Sequence, residues 1–486
     1  MVKIQQKPIE TKVNVKPVFV WLIHSDSKEG PCRWGTEEEL SPESEKETGR
    51  NYFEKFEDIL KENLSENARI MDPVLMEFGE EFQVSSEMME KLEPDSQETD
   101  LYLVSGHPAR QLPAVRIGER FRKPVAVVTA GVTNVDASAY LRSRDLEGYA
   151  PLDHDELNDL INILKVRKAI GQTKVLIVSD GEPITAGVVS SIWNLEDLKK
   201  RFGLESNQIS LEKFYDKMDE VKGKESDRIR EITEGLMEKA DHVHMEEEEV
   251  ENSVTAYIAT KKLMEKYESN AYTFPCFEAC SSKVPAEKRF TPCLTHSLLK
   301  DDGYPSACEG DLSVLMAMAS LMYVSKKSVY MGNPSLAATE NPYMPQPSIE
   351  KDENILRVLH DVPGLKMKGF DEPDLPFEIR PFTEGGWGVS LRYDFSRDEG
   401  QKVTLARFNP DATKMLVSEG EIVGGGGFDE IGCSLSALVK VPDVRKLLHK
   451  SADYGHHLAL VYGDYVEELK DLAEIMDFKV ELANPV

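Results

Sequence analysis

Positive charge is what this chain is shortest of: 58 Lys and Arg stand against 87 Asp and Glu, a formal net charge of −29. Such a surface repels a phosphate backbone, so a protein built to hold nucleic acid is excluded. Cysteine is sparse as well. Six thiols in 486 residues do not make a disulfide scaffold. Cys276, Cys280, Cys293 and Cys308 fall close together, yet no Cys-x-x-Cys pair occurs among them or with Cys32 and Cys433, so the knuckle of most zinc and iron–sulfur sites is missing. They are expected as small buried thiols near strand ends. No apolar run approaches a membrane span, and Met1-Val2-Lys3-Ile4-Gln5-Gln6-Lys7 has no signal-peptide core, which leads to the expectation of a cytoplasmic protein with no membrane partner. Neither G-x-G-x-x-G nor G-x-x-x-x-G-K-[ST] is present, so nucleotide binding has no motif behind it.

What the chain has is alternation. Continuous apolar runs at 16–23, 99–107 and 124–131 are separated by helical patterns such as the one from Tyr52 through Leu64. That order predicts a doubly wound parallel sheet. His24 and His107 follow two of these strands and are read as loop residues. A second unit opens on the strand Lys174-Val175-Leu176-Ile177-Val178 and continues through amphipathic helices at 210–221 and 227–239. Met245-Glu246-Glu247-Glu248-Glu249-Val250 suits the amino end of a long helix reaching Tyr267. His242 and His244 before it have metal-like spacing but no third ligand and are read as a solvated turn. The segment 271–278 reads as a strand that brings Glu278 toward a cleft. Beyond about Pro347 the period changes to two: 388–395 and 402–408 alternate as a hairpin, Gly424 to Gly427 reads as a flexible loop, and a helix begins near Asp464. The expected fold class is α/β. Two doubly wound parallel-sheet (Rossmann-like) domains, 1–172 and 173–347, precede a mostly antiparallel β-rich domain, 348–486.

One stretch organises the rest. Cys308-Glu309-Gly310-Asp311 reads as an acidic turn, Leu312 to Val324 as a helix apolar on every face, and Val329-Tyr330 as a strand ended by Gly332-Asn333-Pro334. A strand before Glu309 would make this a strand–helix–strand unit in one parallel sheet, bringing Glu309 and Asn333 to the same edge. Asp311 is expected as the helix N-cap, with Glu309 projecting from the turn. His360 closes the apolar run Ile355-Leu356-Arg357-Val358-Leu359, and His457 ends the pair His456-His457 just ahead of a strand.

The Glu309-x-Asp311 turn, Asn333 near the end of the next strand and the His456-His457 pair together resemble the L-fucose isomerase and L-arabinose isomerase superfamily. The resemblance implies a metal-dependent aldose–ketose isomerase acting on a pentose or deoxyhexose through an enediol. It implies Glu309 as metal ligand and base, Asn333 at the position of a second catalytic acid, and His457 and His360 as further metal ligands. Mn²⁺ is the implied cation, with Mg²⁺ or Co²⁺ as substitutes. A homo-oligomer, trimer or hexamer, is also implied. Asn333 departs from the family pattern, because an amide can offer a carbonyl oxygen to a metal but cannot take up a proton at neutral pH. Two alternatives follow from that departure. One is a metal-dependent lyase or dehydratase on a sugar or sugar acid, and the other is a binding protein on a retired isomerase scaffold.

Overall fold

The run Val13–Ile23 is apolar on both faces and forms strand β1, buried along nearly its whole length. It is the spine of a parallel sheet with β2 (Ala68–Ile70), β3 (Val74–Gly79), β4 (Leu101–His107), β5 (Val125–Val127) and β6 (Gly148–Tyr149), in the order β2-β1-β4-β5-β6 with β3 also on β1. Every pairing in it is parallel. Gly106 in β4 has φ +119°, and a Cβ there would come within 1.9 Å of the Val20 carbonyl oxygen, so only glycine fits this approach. The computed structural model describes residues 7–107, 110–128, 133–181, 187–337 and 354–484. They form two compact units, one spanning Thr11–Lys165 and the other holding the remaining described residues. Among the described residues no helix is long and apolar enough to cross a membrane.

The second unit begins with four parallel strands, β7 (Lys174–Val178), β8 (Glu205–Ile209), β10 (Ala271–Phe274) and β11 (Ser306–Cys308), ordered β11-β10-β7-β8. Helices Leu211–Lys224, Ser226–Lys239 and Glu247–Lys266 supply one core against them. The strand-rich remainder contains β12 (Tyr330–Leu336), β13 (Ile355–Leu359), β16 (Lys402–Phe408), β17 (Lys414–Gly426), β18 (Ser436–Lys440), β19 (Leu458–Tyr462) and β20 (Lys479–Leu482). Their order is β16-β19-β12-β13-β18-β17-β20, and β16 also pairs with β17, so the sheet closes on itself with β20 at its rim. All of these pairings are antiparallel except β17 with β20. Alternate residues, among them Tyr330, Leu356, Val358, Leu405, Ala437 and Leu460, fill its interior. A small sheet of β9 (His242–Val243), β14 (Glu378–Pro381) and β15 (Val389–Arg392) completes the unit. Two parallel α/β sheets followed by mainly antiparallel strands are what the apolar runs predict.

The helix Leu312–Ser325 is buried from Leu312 through Val324 because it lies between β11 on one side and β16 and β19 on the other. That placement overturns one expectation. β12 does not join β11 in a parallel sheet; it pairs antiparallel with β13 and β19. Nor does Gly332-Asn333-Pro334 end the strand, which runs on to Leu336. Gly332 is needed there, since a Cβ would lie 2.9 Å from the Leu359 backbone. The expected 388–408 hairpin is also absent: β15 pairs with β14, and β16 with β17 and β19. Gly424, Gly425 and Gly426 are strand residues of β17 beside a bulge, where close approach rather than flexibility calls for glycine; a Cβ on Gly425 would lie 3.0 Å from the Phe395 amide nitrogen. The expected boundary at 347, and residues Thr129, Ala130 and Gly131 of the expected third strand, lie outside the described residues.

Candidate metal centre

Glu309 directly follows β11 in the left-handed region, φ +62°, and Gly310 comes next at +70°. Two such residues in succession turn the chain sharply from strand into helix, and a non-glycine held there marks a position where surrounding structure imposes the conformation. Asp311 then caps the helix, its Oδ1 accepting from the amides of Ser313 (3.0 Å) and Val314 (3.2 Å), as the two-residue spacing predicts. The carboxylate of Glu309 is left facing two imidazoles. Its Oε1 lies 3.4 Å from His360 Nε2 and its Oε2 3.6 Å from His457 Nε2. The ligand atoms of all three residues lie within 4.8 Å of one another. Gly187 sits beside them, a Cβ there being 3.5 Å from Glu309 Oε2. Burial pushes the Glu309 carboxyl up, but the two imidazoles outweigh it and hold it below its ordinary value.

His457 is fully buried at the start of β19 and is wired from behind. Its Nδ1 donates to Asp311 Oδ2 at 2.9 Å, and Arg407 Nη1 donates to the same oxygen at 2.5 Å. Arg407 also reaches the Tyr454 carbonyl at 2.7 Å, so the cap, the arginine and the histidine form one buried network. Burial favours protonation of Asp311, yet Arg407 and His457 overcome it and keep the carboxyl far below its usual range. Burial dominates at His457 itself and lowers its pKa. The result is a neutral ring with its proton on Nδ1 and a bare Nε2 that has no hydrogen-bond partner.

His360 is 3% exposed and held differently. Its Nδ1 lies 3.1 Å from the Asp361 amide nitrogen and 3.6 Å from Cys433 Sγ, and its Nε2 faces Glu309. Burial opposes a charge on this ring, while Cys433 and Glu309 favour one, and the balance raises it to about 10. Asn333 lies in register with Leu359, the residue before His360. Its Oδ1 is buried with no hydrogen-bond partner, an acceptor without a donor. Of the four residues picked out in the sequence, Glu309, His360 and His457 meet at one point, and Asn333 stands on the neighbouring strand of the same sheet.

The other candidates lie elsewhere. His24 Nδ1 is 3.0 Å from Glu45, His107 is exposed, and His244 Nε2 contacts Glu378 at 2.8 Å. Glu278 falls on the short helix Cys276–Cys280 rather than on a strand, outside the group at Glu309. All six cysteines are free; Cys293 and Cys308 are buried as expected, whereas Cys32, Cys280 and Cys433 are exposed. Sequence reasoning missed Arg407 and Cys433. Arg407 did leave a trace, a cation inside the otherwise apolar alternation of 402–408, whereas nothing in the sequence ties Cys433 to His360.

A carboxylate, a bare imidazole nitrogen, an orphaned amide oxygen and a second imidazole suit a divalent cation of intermediate hardness. The class that fold and cluster define is therefore an α/β protein with an internal carboxylate–imidazole centre. No family model matches the chain. It is similar to sulfoquinovose isomerase of Priestia aryabhattai, 24% identical over 327 residues that cover 66% of this chain and 67% of that protein. The sulfoquinovose isomerase of Priestia megaterium (strain ATCC 12872 / QMB1551) matches to the same extent.

Proposed function

We propose that this chain is an aldose–ketose isomerase, a divergent relative of the L-fucose and L-arabinose isomerases, acting with a divalent cation held by Glu309, His457, Asn333 and His360. The observation that carries the reading is the Glu309–His457–His360 cluster, with His457 presented by the buried Asp311–Arg407 pair. Mn²⁺ is the cation this donor set favours, with Mg²⁺ or Co²⁺ able to substitute. When bound, it polarises the sugar carbonyl and lowers the cost of the enediolate.

The protein's own residues do the rest. Glu309 is ionised at neutral pH and takes the proton from one carbon of the sugar and returns it to the neighbouring carbon. Asn333 cannot share that task and serves as a neutral oxygen donor. His360 Nε2, 3.4 Å from Glu309 Oε1, completes the donor set on the side opposite His457. The substrate on this reading is a pentose or a deoxyhexose. Domain limits at 172 and 347, a trimer or hexamer and a cytoplasmic location belong to the same reading.

The test is turnover of a panel of aldoses by metal-stripped protein reloaded with Mn²⁺. Ketose formation that falls by about 10² to 10⁴ in Glu309→Gln is the expected result. One Mn²⁺ per chain with no isomerisation of any aldose would favour the second reading, a lyase or dehydratase or a retired scaffold, which Asn333 supports.

A further inference from the structure

Past the amino end of the Leu312–Ser325 helix, the outer face of the closed sheet continues. Met331, Asn333 and Ser335 of β12 point to this face, because Tyr330 on the alternate set fills the interior. Met331 fixes where the face lies relative to the site: its sulfur accepts the Cys308 amide at 3.2 Å, next to Glu309. Cross-strand register then gives two successive rows. Asn333, Leu359 and Ser436 form the first; Ser335, Arg357 and Leu438 form the second. Two residues of strand separate them, about 6.8 Å. That is the reach of a short open sugar chain.

Arg357 is half-buried in the second row. Its Nε donates to Ser436 Oγ at 2.8 Å, and the Ser436 hydroxyl in turn donates to the Ser434 carbonyl at 3.0 Å, so the serine is oriented to accept and the guanidinium plane is pinned. Its two Nη atoms make no hydrogen bond or ion pair with any described residue. The other arginines beside the site are committed: Arg407 to Asp311, and Arg392 to Asp361 at 3.1 Å. Among the described residues this pinned arginine holds no carboxylate, so its fork can bind an anion from outside. A guanidinium fork matches two oxygens of a tetrahedral anion.

We propose that Arg357 recognises a sulfonate or phosphate on the far carbon of the sugar whose carbonyl end lies at Glu309. The inference rests on the isomerase reading only for which end of the sugar faces Glu309. It makes Arg357 a specificity-determining residue and selects anionic sugars over neutral ones.

The experiment compares three sugars, sulfoquinovose, glucose 6-phosphate and 6-deoxyglucose, on Mn²⁺-loaded full-length protein, by calorimetric binding and by ketose formation. Wild type should bind at least one anionic sugar more tightly than 6-deoxyglucose, on the order of tenfold to a hundredfold for charge-assisted hydrogen bonds. Arg357→Ala should bring that ratio close to unity and Arg357→Lys should keep part of it. The Lys variant keeps the inference testable if the Ala variant fails to fold. The anion with the larger ratio identifies the natural group. No preference in wild type, or a preference that survives Arg357→Ala, overturns the inference. Failures are separable: an Arg357-dependent preference without isomerisation of any sugar sinks the isomerase reading alone, and equal isomerisation of all three sinks the role of Arg357 alone.

Discussion

The two histidines beside Glu309 sit 5.5 Å apart, ring centre to ring centre, and are prepared in opposite ways. His457 leans on a buried carboxylate that fixes its proton on the far nitrogen, so the near nitrogen is a ready lone pair. His360 has the Asp361 amide and Cys433 behind its far nitrogen and Glu309 before its near one, and Cys433 and Glu309 favour its protonated form. One flank of the site is built to donate electrons and the other to hold a proton. The lesson is that ligand identity alone does not define a metal site; the atoms behind each ring decide what it can do.

The largest effect should come from breaking the His457 flank. Asp311→Ala removes a helix cap and the partner of His457, and leaves Arg407 as a buried charge without its counterion. Loss of such a partner costs about 3–5 kcal/mol of stability, readable by denaturant unfolding. Metal affinity should drop by about 10- to 100-fold in whatever fraction stays folded. The milder Asp311→Asn sharpens the same point through pH. Because folding depresses the Asp311 pKa, its stabilisation is complete above the ordinary carboxylate range and is lost as pH falls through and below that range. Asn at 311 should lower stability at neutral pH and flatten the acid side of the stability curve.

Effects on the His360 flank should be smaller and should appear mainly as pH dependence. His360 is raised to about 10, so a cation must displace its proton to use Nε2. Mn²⁺ affinity should therefore climb with pH, by about tenfold per unit while one proton is released. His360→Gln should remove most of that slope. Asn333→Asp adds a charged oxygen where a neutral one stands, and should tighten Mn²⁺ binding by about tenfold in a direct titration. Least of all, Cys433→Ala should ease the competing protonation of His360 and shift the affinity profile slightly toward lower pH, since the thiol is one of the groups that raises that ring.

Much of this was legible beforehand. The acidic turn, the cap at Asp311 and the all-round apolar helix were readable because each is a local pattern with a local cause. The resemblance, rather than residue spacing, selected His457 and His360 from ten histidines. What could not be read was long-range pairing. β12 looks like the second strand of a parallel unit, and only its antiparallel pairing with the next strand, β13, and with the distant β19 places it in the closed sheet. Gly424 to Gly426 looks like a loop until the crowding at Phe395 is seen. The network through Arg407 spans 96 positions to Asp311 and leaves no periodic signal.

The account stands on one cation held between Glu309 and His457. Metal-stripped protein titrated with Mn²⁺, followed by calorimetry, tests it most directly. One ion per chain should bind to the wild type, and that binding should disappear in His457→Ala while the variant keeps its folded melting transition. A wild type that takes up no Mn²⁺, or a His457→Ala protein that binds it as tightly as before, would contradict it.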